Sequence, residues 1–350
     1  MRFLTLFLAA LVALTLVYAA SVRLVDPRGE FGTGLLPVVE LDARAEKMRL
    51  FRAYAAAAPP EGLILGSSRA MKMCPRTLEM ETGHRFFNFA VDSARAEDYL
   101  AIYRWTREQG MPVKLLVIGL DVEALHNDDR PEPGLVRSDA LMRALGEGEL
   151  PDSGLLARFR GWTLVRSLKK YKATFTIEYL SDAARAVRFA VRPQSRPLPL
   201  MEFEPDGYLR YRRWERQRAA GRFRFDQDLE RCLTKYLTRF DNMTELSPRR
   251  RAYVRQLVDE ARSDGVRVLV WITSLHPVTA RYLEANTGYA ALLAATREYE
   301  RALAAADGVA TYDFSRPESF DGTDSGWYDC AHIDETNADR VAVALARELR

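Results

Sequence analysis

Histidine and cysteine are scarce in this chain, and no sign of charge dominates it. Its 350 residues hold four histidines and three cysteines. Cys74, Cys232 and Cys330 have no metal-ligand spacing, which excludes the compact zinc modules. Lys and Arg number 51 against 48 Asp and Glu, and so small an excess argues against a dedicated nucleic-acid binder. No repeat recurs at a solenoid period, and nothing is low-complexity beyond an alanine run near position 56. Disorder is excluded too, because 48% of the residues are apolar, enough for a sizeable core.

What the sequence does have begins at its start. "MRFLTLFLAALVALTLVYAASVR" places one Arg before an apolar run from Phe3 to Val22. About 20 such residues cross a hydrocarbon core as a helix. A cleaved signal peptide is the competing reading, with Val17-Tyr18-Ala19 as a small-residue site. The run is long for a signal peptide and lacks a polar region after it, so an uncleaved anchor over 3–22 fits better. With Arg2 held inside, the bulk of the chain lies on the extracytoplasmic (periplasmic) side. Spacing does not pair the cysteines. An exported chain could oxidise one pair, while a role as small buried hydrophobes accounts for at least two of them.

After a stretch read as linker (23–60), "GLILGSS" (62–68), "FFNFAV" (86–91), "VKLLVIGLD" (113–121), "VRVLVWITSL" (266–275) and "GVATYDFS" (308–315) are continuous apolar runs. Such runs suit strands covered on both faces, as in a parallel sheet. Amphipathic helical patterns lie between them, one opening on Ser247-Pro248 and closing on Gly265. The expected fold is therefore α/β: a flavodoxin-like three-layer arrangement with a five-stranded, mainly parallel sheet over 61–350. The rhythm is broken at about 128–247, read as a large helical insertion. Between Arg158 and Arg224 it carries 17 Lys and Arg against 6 Asp and Glu. This excess suits either a solvated surface or a face turned to anions or lipid head groups.

Ligands of parallel sheets collect beyond the carboxyl ends of the strands. Ser67, Ser68 and Arg69 follow the first strand, Asp92 and Ser93 the second, Asp121 and His126 the third, and Ser274 and His276 the fourth. Asp329 and His332 lie in "YDCAHIDETN", just before the last helix. Three of the four histidines thus fall on one edge. Ser68 has the placement of a nucleophile at a strand-to-helix turn, where backbone N–H groups can hold negative charge. His332 is its candidate base, and Asp329 would orient the imidazole.

"GSSR", "FNFAVDSARAEDYL", "VIGLD" and "YDCAHIDETN" resemble, in order, the sequence blocks of the SGNH (GDSL-like) hydrolase superfamily. The resemblance implies Ser68 as nucleophile, with Ser67 in place of the usual Asp, and Asp329 and His332 as the Asp-x-x-His of the last block. Gly-Ser-Ser-Arg behind an N-terminal anchor is similar to exported, membrane-tethered members. Those often partner membrane-bound O-acyltransferases in envelope O-acylation. It covers roughly 60–125 and 265–350, and the insertion is matched to nothing. Two positions depart from the pattern. The glycine of block two is replaced near Asp92 and Ser93, where a backbone donor survives. The Asn of block three is Asp121, which as a carboxylate cannot donate to an oxyanion.

The resulting expectation is an exported serine ester hydrolase or acyltransferase acting on envelope glycan or lipid esters. It needs no cofactor, metal or nucleic acid. Ser68, His332 and Asp329 would be catalytic, with Ser93, Asp121, Arg69, His276 and Asp92 around the oxyanion and substrate. Arg69 is expected to pair with Asp121, and Ser67 to point into the turn. Two alternatives stand beside it. One is a catalytically degenerate SGNH fold that binds an envelope polymer or a membrane O-acyltransferase. The other is a metal hydrolase built from Asp121, His126, His276 and His332.

Overall fold

The computed structural model describes residues 2–29, 31–39, 42–128, 130–146, 174, 176–196, 199, 201–305 and 309–349. The chain divides into two compact units. One comprises 1–46 with 149–198, the other 47–148 with 199–350.

The larger unit is the expected α/β fold. Strands β1 (Gly62–Leu65), β2 (Phe86–Asn88), β3 (Leu115–Leu120), β6 (Arg267–Ile272) and β7 (Val309–Asp313) form one sheet in the order β2-β1-β3-β6-β7. Every pairing in it is parallel. All residues of β1, β2 and β3 are buried, which is why their sequences run apolar without alternation. On one face Ile64, Val117 and Leu269 pack with Leu78 of the helix Pro75–Thr82 and with Val341 and Leu345 of the helix Glu335–Leu349. On the opposite face Phe87 meets Phe51, which also contacts Phe89 and Trp105 of the helix Ala96–Glu108. The helix Pro248–Ser263 begins where expected, its Ser247 hydroxyl accepting from the Arg250 N–H.

Phe51 belongs to a helix, Ala43–Ala57, so the stretch read as linker is not linker throughout. Met48, Phe51 and Tyr54 recur at every third position in it, and Phe51 and Tyr54 join the aromatic cluster around Phe87. The segment read as one insertion is also divided: 149–198 cluster with the start of the chain, and 199–247 with the sheet. Within the latter, β4 (Glu202–Phe203) and β5 (Leu209–Arg210) make a short hairpin. It closes the outer edge of β2, the Asn88 N–H donating to the Asp206 carbonyl at 2.9 Å. Gly207 makes this approach possible, since a Cβ there would lie 2.1 Å from the Asn88 oxygen. The buried Lys47 ammonium donates to the Asn88 and Gly207 carbonyls, and burial pushes its pKa well below the ordinary lysine value.

The smaller unit contains the helix Arg2–Val25. Its stretch Phe3–Val25 has a mean hydropathy of 2.4 and is long and apolar enough to cross a membrane. A second helix, Ile177–Val191, belongs to the same unit.

Candidate active site

The carboxyl ends of β1, β2 and β3 open onto a cavity of about 750 Å³. Strand β1 ends at Leu65 and the chain turns at Gly66, with φ of 151°. A Cβ at Gly66 would stand 2.5 Å from Ala70 and 3.1 Å from the Gly119 oxygen, so glycine alone lets the turn pass this close to β3. Ser67 is buried, and its hydroxyl accepts from the Arg69 N–H at 3.2 Å. It points into the turn, as expected. Ser68 points outward, and its Oγ lies 2.8 Å from His332 Nε2.

The other end of the imidazole meets Asp329, with Nδ1 2.8 Å from Oδ2 and 2.9 Å from Oδ1. Asp329 Oδ1 also accepts the backbone N–H groups of Ala331 and His332, both at 2.8 Å. Burial raises the Asp329 pKa, but the nearby imidazole and these donors outweigh it, and the carboxyl is held below its ordinary range. With its proton on Nδ1, facing the carboxylate, the imidazole leaves the Nε2 lone pair for the Ser68 hydroxyl. The supporting loop is pinned at several points. Tyr328 N–H donates to the His332 carbonyl at 2.8 Å, and the Cys330 carbonyl accepts from Thr279 Oγ1 and from the His276 N–H.

Cys330 is also bonded to Cys232. Two of the three cysteines are therefore paired and not merely small hydrophobes. Cys232 lies on the helix Leu229–Asp241, whose Cys232, Lys235, Tyr236 and Arg239 line the cavity. Their i, i+3, i+4, i+7 spacing marks one helical face and was readable in advance. Nothing in the sequence said that this face would close the site.

Arg69 is buried, and Asp121 is not its main partner. Its Nη2 pairs with Glu123, while Nη1 stands 3.8 Å from Asp121 Oδ1 and 3.3 Å from Thr273 Oγ1. Thr273 in turn donates to Asp121. The expected pair exists as the longer arm of a network whose centre is Glu123. Burial alone would lower the Arg69 pKa, but Glu123 and Asp121 hold it well above the ordinary value.

Ser93 lines the cavity with φ of 52°, a left-handed conformation that costs a non-glycine residue roughly 1–2 kcal/mol. Among the described residues, neither the Ser68 nor the Ser93 backbone N–H makes a hydrogen bond. Two expected residues fall elsewhere. Asp92 is half-buried and does not line the cavity. His276 is buried between Phe225 and Trp327, with Nδ1 accepting from the Val278 N–H at the start of the helix Pro277–Asn286. It is a capping residue, kept below its usual pKa by burial. With His276 turned away, the four residues of the metal alternative do not converge. Among the described residues no three His, Cys, Asp or Glu side chains form a candidate metal cluster.

No family model matches the chain, and no curated protein does.

Proposed function

We propose that the protein is an SGNH-type serine ester hydrolase or acyltransferase. The helix Phe3–Val25 tethers it to the cytoplasmic membrane, and it works on the extracytoplasmic side. The observation that carries this reading is the Ser68–His332–Asp329 relay at the carboxyl edge of a parallel sheet, opening onto a cavity. Ser68 Oγ attacks the ester carbonyl carbon and its proton passes to His332 Nε2. Asp329 stabilises the imidazolium. The oxyanion is received by the Ser68 and Ser93 N–H groups. His332 then protonates the leaving alcohol, and water or an acceptor hydroxyl releases the acyl group from Ser68. Transfer, with a membrane O-acyltransferase as partner, uses the same steps with a sugar hydroxyl as acceptor.

A polar acyl-bearing alcohol fits the cavity better than a lipid tail. Its walls include Arg130, Lys235, Arg239, Asn127 and Asn242. With Asp128 and Glu132 also in the wall, this hydrogen-bonding surface of both charges suits the hydroxyls of an envelope glycan. The disulfide supports an oxidising compartment. The Asp121 carboxylate, which would repel an oxyanion, is compensated by Thr273 and Arg69.

The test is covalent labelling of the full chain with a fluorophosphonate. Ser68→Ala abolishes labelling under this reading, while Ser67→Ala leaves most of it. Equal labelling of both variants would show that the nucleophile is another residue, and no labelling of the wild type would favour a binding protein without turnover.

A further inference from the structure

The helix Ile177–Val191 has an apolar stripe that stays exposed among the described residues. Ile177, Leu180, Val187 and Val191 are between 45% and 87% exposed. At 3.6 residues per turn they fall within an arc of roughly 80°. Tyr179, Asp182, Ala186 and Phe189 are buried and occupy the opposite side. Arg188 and Arg192, both exposed, border the stripe along one flank, together with Arg185, which is exposed but pairs with Asp182. A helix this amphipathic would ordinarily bury its apolar stripe, and here it buries the other face.

Its attachment says what covers the stripe. The Tyr18 hydroxyl, on the last turns of the apolar helix, donates to the Thr174 carbonyl at 2.8 Å. Arg28, three residues past the end of that helix, pairs with Asp182 at 2.8 Å. Its guanidinium also lies 5.4 Å from the centre of the Tyr179 ring. Val22 is buried, whereas Phe3, Leu4 and Leu6 are largely exposed. Through Tyr18 and the following Arg28, this end of the apolar helix is thus tied to the helix Ile177–Val191 and to Thr174 just before it. A tyrosine and an arginine at one end of a spanning helix sit at the head-group level. A helix fixed there, with an apolar stripe beside a row of arginines, has the composition of one lying in the interface.

We infer that Ile177–Val191 lies in the membrane interface, its stripe among the upper acyl-chain carbons and its arginines on lipid phosphates. This rests on the reading of Phe3–Val25 as a membrane anchor, and it makes the tether two-point. The anchor fixes distance from the bilayer, and the interfacial helix fixes rotation about the anchor axis. Arginine stems reach along the apolar side while their guanidinium groups meet the anionic surface.

The test places spin labels on the full-length protein in vesicles of phosphatidylethanolamine and phosphatidylglycerol. With Cys74→Ser as background and the disulfide intact, single cysteines replace Leu180, Val187, Leu11 and the exposed Arg213. Collision rates with oxygen and with a water-soluble nickel chelate report depth. Labels at 180 and 187 are expected to show an oxygen-to-nickel ratio several-fold above that at 213, approaching that at 11. A lipid-like ratio at 11 with a water-like ratio at 180 and 187 overturns the proposal while keeping the anchor. Shielding of 180 and 187 from both reagents would indicate a protein partner and also overturns it. A water-like ratio at 11 removes the anchor reading, and the proposal falls with it.

Discussion

Ser68 Oγ and His332 Nε2 stand 2.8 Å apart across 264 positions of sequence. The sheet order explains the meeting: β1 delivers Ser68 at its carboxyl end, and the loop before the last helix returns over that end carrying Asp329 and His332. If this relay does acyl transfer, Ser68→Ala and Asp329→Asn are unequal losses. Asp329→Asn keeps the fold but no longer holds the imidazole tautomer, and related triads lose about 10⁴-fold in kcat by that change. Hydrolysis of a small soluble ester should fall that far, with KM little altered. A decline below about tenfold would take Asp329 out of the mechanism.

Much of this was legible in the sequence, for identifiable reasons. Strands β1, β2 and β3 are buried on both faces, so their apolar runs were unbroken. The Gly-Ser-Ser turn and Asp-x-x-His are local motifs, readable without tertiary knowledge. Glu123 was missed because it follows β3 in a short 3₁₀ turn, where a buried carboxylate looks like any surface acid. The hairpin at 202–210 has strands of two residues each, too short for a period to show. The disulfide and the cavity wall from Leu229–Asp241 depend on how 199–247 folds back, which no local pattern encodes.

Glu123 gives the second prediction. Arg69→Met would leave Glu123 and Asp121 buried without their cation, and breaking such a pair typically costs about 3–5 kcal/mol. Glu123→Gln should destabilise as well, and the double variant should lose less than the sum, as expected for direct partners. Urea denaturation of the four species measures the coupling. Additive losses would show that Arg69 acts mainly through Asp121 and Thr273. Asp121→Asn keeps the site and adds an amide donor at the cavity wall, so ester hydrolysis should hold or rise.

The disulfide gives the third. Cys232 and Cys330 are 98 residues apart, and cross-linking a loop of that length stabilises by about 4–5 kcal/mol in the chain-entropy account. Reduction should lower Tm. It should also lower activity before global unfolding, because Cys330 adjoins Asp329 and Cys232 sits on the cavity wall. Thiol alkylation of the unreduced, denatured protein should modify Cys74 alone. Three alkylated cysteines would rule the bond out in the isolated protein.

The fourth concerns pH and a carboxyl far from the relay. Glu300, on the helix Tyr289–Ala304, is buried, and its Oε1 has no hydrogen-bond partner among the described residues. Burial, reinforced by the Asp313 carboxylate, raises its pKa from 4.5 to about 7, against the opposing pull of the Tyr312 backbone, Arg297 and Arg301. The folded state therefore holds this proton more tightly than the unfolded chain. Stability contributed by the protonated form is complete below the unfolded value. It is lost as pH rises from about 4.5 to about 7. At 1.36 kcal/mol per pKa unit, ionised Glu300 costs up to about 3 kcal/mol above neutrality. Glu300→Gln mimics the protonated carboxyl and should remove that loss. Wild type and variant should have similar Tm at pH 4.5, and the variant should be the more stable at pH 8. A gap of equal size at both pH values would assign the effect to packing of the amide. Asp313→Asn separates the causes further, since removing the neighbouring charge should shift the wild-type transition to lower pH if Asp313 contributes as its position implies.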